Sequence, residues 1–291
     1  MRPPVPGLTA LSFGESVIDI YPDRRVVAGS PLHLAAHLAH RGWGVTLATR
    51  LGADPDAAEI RDVLRRYSIS QAAVESDPLL PTGSVSVRLH NGGHSFHIHR
   101  PASWDALELR RIPAADVVCY GSLIGRATVA RAALFRLLDE GDFAMRVFDV
   151  NLRPPDVHLE TIGRCLRAAT VVKVGDEELA ELARLLKASA DPVSLFGYAP
   201  DLQWVAVTRG AQGASLWHRS GETWSQPARP VKIVDAVGAG DAFAGGLVDA
   251  LGRNRPGAEA LANAIGAAES ILGQRGGLPP TDDRGDDRAE T

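Results

Sequence analysis

Cysteine, methionine and lysine are scarce in this chain of 291 residues. The two cysteines, Cys119 and Cys165, lie far apart in apolar or helical surroundings, which excludes a disulfide framework and fits buried, reduced thiols. Lysine occurs only at Lys173, Lys187 and Lys232. With 31 basic residues against 35 acidic ones the formal charge is -4. A chain with no basic excess is not built around nucleic acid, and its arginine bias reads as composition rather than as a binding surface. No stretch reaches the roughly 18 uncharged apolar residues of a membrane span. Met1 to Gly7 is proline-rich and lacks the apolar run of a secretory leader. The expected location is cytoplasmic, with no membrane contact. No Gly-x-Gly-x-x-Gly follows the first strand, which removes the usual dinucleotide fingerprint, and no internal repeat is present.

What is present is ordinary globular material. Apolar residues make up 45% and charged residues 23% of the chain, enough for one large α/β domain or two modest ones. Apolar runs at Ala10–Phe13, Val45–Thr49, Val117–Tyr120, Arg146–Val150, Thr170–Val174, Trp204–Thr208 and Ala214–Trp217 read as strands. Helical patterns fall between them at Pro31–Arg41, Ala57–Tyr67, Ala127–Glu140 and Asp176–Lys187. That alternation predicts a mainly parallel sheet with helices on both faces. Ser16–Val27 and Thr82–Arg100 break the rhythm as short alternating strands, the second a hairpin turning at Asn91-Gly92. They predict a small accessory sheet, or lid, from about 14–30 and 82–100. The whole is one domain over 1–278, followed by a charged, disordered tail over 279–291.

The chemistry concentrates at Val234-Asp235-Ala236-Val237-Gly238-Ala239-Gly240-Asp241-Ala242-Phe243. Small residues at 238 to 240 allow a tight turn and close approach of a ligand to its amides. The apolar run that follows reads as a buried helix, whose start presents free N–H groups and the positive end of a dipole, an anion site. Asp241 in that first turn is placed to be ionised and to accept a proton from a hydroxyl. The same spacing also fits a plain helix cap after a loop.

Gly238-Ala239-Gly240-Asp241-Ala242-Phe243 resembles the C-terminal signature of the ribokinase-like (PfkB) carbohydrate kinases. Further segments resemble that family in order, from about residue 10 to residue 279. Gly14 to Asp19 is similar to its opening strand, and Ala28-Gly29-Ser30-Pro31-Leu32-His33-Leu34-Ala35 with Arg41-Gly42 to its sugar-site signature. Asp149-Val150-Asn151-Leu152-Arg153 is similar to the Asp-Pro-Asn-x-Arg of fructokinase-type members. Thr208 to Gly213 resembles the nucleotide-side turn, and Ala262-Asn263-Ala264 the adenine-side helix. The resemblance implies a ribokinase-like fold and ATP-dependent phosphorylation of a small sugar. Asp241 would then be the base, with Gly238, Ala239 and Gly240 as the anion hole. Sugar contacts would come from Asp19, Gly29, Ser30, His33 and Arg153, with Arg100 reaching in from the hairpin. ATP would lie near Lys173, Thr208, Gly210, Gly213 and Asn263. Glu178 would hold Mg²⁺ through water, and Asp235, near Gly276-Gly277, would hold a monovalent cation such as K⁺. Homodimers through the lid are also implied.

The pattern departs from the family at several points. Ala28 replaces the first glycine of a pair, His33 an asparagine, Gly175 the asparagine of Asn-x-x-Glu, Ala236 a threonine and Ala53 an acid. None of these falls on Asp241 or its turn. A fructose-like substrate is the first expectation. A 2-keto-3-deoxygluconate kinase, using Arg100 and Arg153 for a sugar acid, is the alternative, and a weakened sugar- or nucleotide-binding relative is a third. Of the remaining aromatic and histidine residues, His97 and His99 share a strand face, as a metal pair or, in preference, a contact with substrate or with a second subunit's lid. His37 and His40 read as surface or groove residues. Trp104 reads as a candidate for the pocket mouth.

Overall fold

The computed structural model describes residues 7–90 and 93–281. The turn expected at Asn91-Gly92 and most of the expected tail, residues 282–291, lie outside the described residues. Two sheets organise the rest. In chain order the strands are β1 (Thr9–Phe13), β2 (Val17–Ile20), β3 (Arg25–Ala28), β4 (Gly44–Leu51), β5 (Ser70–Ser76), β6 (Gly83–His90) and β7 (Gly93–Ile98). They continue with β8 (Val117–Gly121), β9 (Met145–Asp149), β10 (Val171–Gly175), β11 (Trp204–Thr208), β12 (Ala214–His218) and β13 (Thr223–Gln226). The helices are α1 (Ser30–His40), α2 (Pro55–Arg66), α3 (Thr128–Glu140), α4 (Leu159–Ala168), α5 (Asp176–Leu186), the single turn α6 (Leu195–Tyr198), α7 (Ala239–Gly252) and α8 (Gly257–Leu272).

The large sheet has nine strands in the order β13-β12-β11-β10-β9-β8-β1-β4-β5. It is parallel from β11 to β5, and β12 and β13 are added antiparallel at one edge. Its strands are apolar on both faces because helices cover both. Successive residues of β8 show the division: Val118 and Tyr120 join the core under α3, α4 and α5, whereas Val117 and Cys119 join the core under α1, α2, α7 and α8. Cys119 and Cys165 therefore sit in different cores, both buried and both free thiols.

The smaller sheet, in the order β3-β2-β6-β7, is the accessory sheet expected from the broken rhythm. β2 pairs parallel with β6, and both outer pairs are antiparallel. Strand and helix positions agree with the sequence reading to within one or two residues at most ends. β5 and β13 escaped it because each is a polar edge strand, Ser-Gln-Ala-Ala-Val-Glu-Ser and Thr-Trp-Ser-Gln, with no apolar run to signal it. The body continues past residue 278: Pro279 is buried and its carbonyl accepts a hydrogen bond from the Tyr67 hydroxyl.

Candidate active site

The parallel strands end together at one rim of the sheet, and the small sheet stands beside it. Between them lies a cavity of about 400 Å³ lined by residues from β2, β3, β6, β7, β10, α1 and the start of α7. α7 begins at Ala239, with Gly238 as its cap in the left-handed region at φ 79°. A Cβ on Gly238 would lie 2.2 Å from the Gly277 Cα, so only glycine lets this turn pack against the C-terminal segment. Gly29 is the matching case on the sugar-signature side. It caps α1 at φ 119°, and a Cβ there would come within 2.7 Å of the Glu15 carbonyl oxygen. The Ser12 hydroxyl donates to the Pro31 carbonyl at 2.7 Å and ties the start of α1 to β1.

Asp241 lies in the first turn of α7, with 14% of its side chain exposed at the cavity. Ser30 Oγ donates to Oδ1 at 2.6 Å and His33 Nδ1 lies 2.9 Å from Oδ2. Burial alone would raise the Asp241 pKa. The hydrogen bond and charge of His33, the Ser30 hydroxyl and the Lys173 ammonium outweigh it, so the carboxyl is held below its ordinary range. Lys173 is buried, its Nζ 3.0 Å from Asp149 Oδ1, and 3.1 Å from where a Cβ would stand on Gly240. Burial works against its charge, but Asp149, Glu178 and Asp241 raise its pKa and keep it cationic beside the α7 turn.

Most of the sequence candidates converge on this cavity: Asp19, Gly29, Ser30, His33, Arg153, Lys173, Glu178, Gly238, Gly240 and Asp241 all line it. Arg153 bonds only the Leu152 carbonyl among the described residues, at 2.9 Å, and its charge acts on Glu15 and Asp19. Glu178 lines the cavity, yet its two oxygens already accept the Leu152 and Gly175 amides at 2.8 Å each, which also closes the N-terminus of α5. Thr208, Gly210 and Gly213 stand at the end of β11 and its turn, beside Gly175 in the next strand. Asp235 accepts amides from Val237 at 3.0 Å and Gly276 at 3.2 Å, binding the approach to α7 to the C-terminal turn.

Four expectations are corrected. Arg100 does not reach the cavity. It is exposed and its guanidinium pairs with Asp156. Asn263 lies on α8 and donates to the Gly246 carbonyl at 2.8 Å, lining a separate surface depression with Arg41 and Asp249. Trp104 is fully buried beneath Arg126, not at the pocket mouth. His37 is buried rather than superficial. Burial pushes its pKa down to about 4, and Nε2 lies 3.0 Å from the Gly277 carbonyl. His33, one of the residues that depart from the family pattern, meets the Asp241 carboxylate across the cavity wall.

Glu15 is the residue that sequence reading passed over. It follows β1, is 6% exposed and lines the cavity with Asp19. Its signal was a carboxyl placed directly after an apolar strand. Burial lifts its pKa from 4.5 to about 7, partly opposed by its own backbone amide and Arg153. Burial likewise lifts Asp19 to about 6. A raised carboxyl pKa means that the folded chain keeps a proton the unfolded chain has lost. Stability therefore falls as pH rises from about 4.5 to about 7, and levels off above. Glu15→Gln is expected to remove a cost on the order of 3 kcal/mol at pH 8 and to leave stability near pH 4 unchanged. Thermal melting of the ligand-free protein at both pH values checks this; a variant no more stable than wild type at pH 8 contradicts it.

Comparison with known proteins gives this site its context. The chain is 29% identical over 264 residues to fructokinase-1 of Oryza sativa subsp. japonica, covering 82% of this chain and 81% of that one. It is 29% identical over 265 residues to a fructokinase of Klebsiella pneumoniae, covering 82% and 83%. Its fold superposes with a TM-score of 0.80 on the fructokinase of Vibrio cholerae O395 solved with fructose, ADP and calcium ion, at 24% identity and covering 93% and 94% of the two chains. The model of the pfkB family carbohydrate kinases matches residues 12–284. With the motifs in order along nearly the whole chain and the cavity they enclose, the chain belongs to the pfkB family of carbohydrate kinases, phosphotransferases with an alcohol as acceptor.

Proposed function

We propose that this sugar kinase transfers the γ-phosphoryl group of ATP to a hydroxyl of a fructose-like hexose, with Asp241 as general base. The observation that carries the reading is the Asp241 carboxylate at the cavity wall, in the first turn of α7, next to the glycine turn that starts the helix. The sugar would be held by Asp19, Gly29, Ser30 and Arg153. Its reacting O–H would give its proton to Asp241 as the oxygen bonds phosphorus and ADP departs. The amides of Gly238 to Asp241 and the Lys173 ammonium would face the negative charge of the phosphoryl group, where fixed donors in a dry site are most effective. Closure of the small sheet over the sugar would exclude water.

The glycine cradle at 238–240, which a Cβ would fill, suits the close approach of phosphate oxygens. Mg²⁺ would be held through water by Glu178, whose oxygens each keep a lone pair beyond their amide partner, and K⁺ by Asp235 near Gly276-Gly277. When bound, Mg²⁺ neutralises charge on the phosphates. The donor set also separates the candidate substrates. Four carboxyl groups, Glu15, Asp19, Glu178 and Asp241, line the cavity against two cations, Arg153 and Lys173, and Arg100 pairs elsewhere. That balance supports a neutral polyol over the sugar acid that two arginines were expected to serve. The names of the relatives point the same way. Among the described residues no helix is long and apolar enough to cross a membrane, and a cytoplasmic location is part of this reading. So is a homodimer through the small sheet, whose edges are β3 and β7.

ADP release from ATP–Mg²⁺ over a panel of hexoses, sugar acids and nucleosides tests the proposal. Fructose is expected to give the highest kcat/KM, with 2-keto-3-deoxygluconate at least about tenfold lower, on the scale of one buried unpaired charge. A sugar acid or nucleoside preferred over fructose overturns the substrate assignment.

A further inference from the structure

We propose that Ser30 and His33 are positioning residues that clamp the two carboxylate oxygens of Asp241, one each, and hold it away from the amides of the glycine turn. The inference rests on the reading of Asp241 as the base. Ser30 opens α1 and His33 follows one turn later, so both project from the same face of the helix. α1 and α7 approach closely: a Cβ on Gly245 would lie 2.7 Å from the His37 Cβ. At that separation two short side chains span the gap, with Ser30 Oγ at 2.6 Å and His33 Nδ1 at 2.9 Å from the carboxylate. An ionised carboxylate only accepts, so both contacts place the proton on Ser30 and on His33 Nδ1.

The rest of the imidazole has no alternative. Its Cε1 lies against Gly277, where a Cβ would stand 2.6 Å away, and its Nε2 is buried, with the Val27 backbone the one group outside Asp241 and Asp19 that favours its protonated form. Its burial also bars His33 from taking the sugar proton itself, so the ring can act only through Asp241. A carboxylate at the third helical position, where Asp241 stands after the Gly238 cap, would otherwise reach back towards the amide of the cap. The amides of that turn are the ones an incoming phosphoryl group needs. None of them bonds Asp241 among the described residues, and the clamp accounts for this. Each Asp241 oxygen keeps a lone pair for the sugar hydroxyl. That hydroxyl proton passes to Asp241 while Ser30 and His33 keep theirs.

The test compares Ser30→Ala, His33→Leu, His33→Asn and Asp241→Asn in the full chain, with ATP–Mg²⁺ and the panel sugar of highest turnover. Thermal melting is recorded for every variant. His33→Leu is expected to lower kcat about 10- to 100-fold with the KM for ATP unchanged, the scale of a misplaced reacting group. Ser30→Ala should lower it about tenfold, and His33→Asn, which keeps an N–H donor, should recover to within about threefold of wild type. The acid limb of the kcat–pH profile should move upward in His33→Leu, because a donor that favours ionised Asp241 is lost. The other titratable groups facing Asp241 stay in place: Glu15 after β1, Asp19 on β2, His37 on α1, Asp149 on β9 and Lys173 on β10. Wild-type kcat in both His33→Leu and Ser30→Ala, beside an inactive Asp241→Asn, overturns the clamp alone. Equal losses in His33→Asn and His33→Leu that track melting temperature, with an unmoved acid limb, also overturn it. An active Asp241→Asn removes the base reading first.

Discussion

Asp241→Asn is expected to lower kcat by about 10²- to 10⁴-fold, the usual contribution of a positioned general base, while the KM for ATP changes little. The substitution keeps the shape of the side chain and removes its charge and its ability to take a proton. Its local cost to the fold should be small, because the amide oxygen can still accept from His33 Nδ1 while the rotatable Ser30 hydroxyl turns to accept from the amide NH2. The same geometry separates this loss from a packing defect. Asp241 sits over the first turn of α7, and the buried part of that helix begins one residue later at Ala242. Steady-state kinetics with thermal melting checks the expectation: kcat should fall and the melting temperature should stay within a few degrees. An Asn variant of near wild-type turnover would mean that the proton leaves by another route.

Lys173→Met is expected to damage both stability and rate, by different routes. Lys173 on β10 is directly opposite Asp149 on β9, and its Nζ lies within 3.0 Å and 3.2 Å of the two carboxylate oxygens. Both side chains are more than nine-tenths buried. Removing one partner of such a pair strands a buried charge, at a cost of about 3–5 kcal/mol, whereas removing both charges together is often close to neutral. The double variant Lys173→Met with Asp149→Asn should therefore regain most of the lost stability. It should not regain activity, because the ammonium beside Gly240 is still missing. A donor of this kind facing developing charge contributes about 10²- to 10³-fold to kcat. Denaturant unfolding and kcat measured on the single and double variants separate the two effects. Recovery of both together in the double variant would reduce Lys173 to a counter-ion for Asp149.

The chain announces its fold more fully than its site. β8, β9, β10 and β11 are short apolar runs between helical patterns because each is covered on both faces, and they could be read directly. β5 and β13 could not, because an edge strand half in solvent has no need of an apolar run. Gly238, Gly240 and Asp241 were legible as a motif because a tight turn, a helix start and a carboxylate fall within four consecutive residues. Contacts made across the fold left no such trace. His33 and Asp241 are 208 positions apart, and only the packing of α1 on α7 joins them. Arg100 and Asn263 show the opposite error. A place at the end of the hairpin pointed the first towards substrate and motif order the second towards nucleotide, but a nearby carboxylate claims the first, and the second bonds the neighbouring helix. Glu15 was missed because nothing in its local pattern shows that the start of α1 closes over it.

The most direct test of the central claim is phosphorus-31 NMR of the reaction mixture: ATP–Mg²⁺ and fructose with wild type or with Asp241→Asn. A sugar phosphomonoester resonance that grows with ADP in the wild type, and is absent over the same period with the Asn variant, is the expected result. A phosphomonoester formed equally by both proteins, or only inorganic phosphate from the wild type, would contradict Asp241-dependent transfer to the sugar.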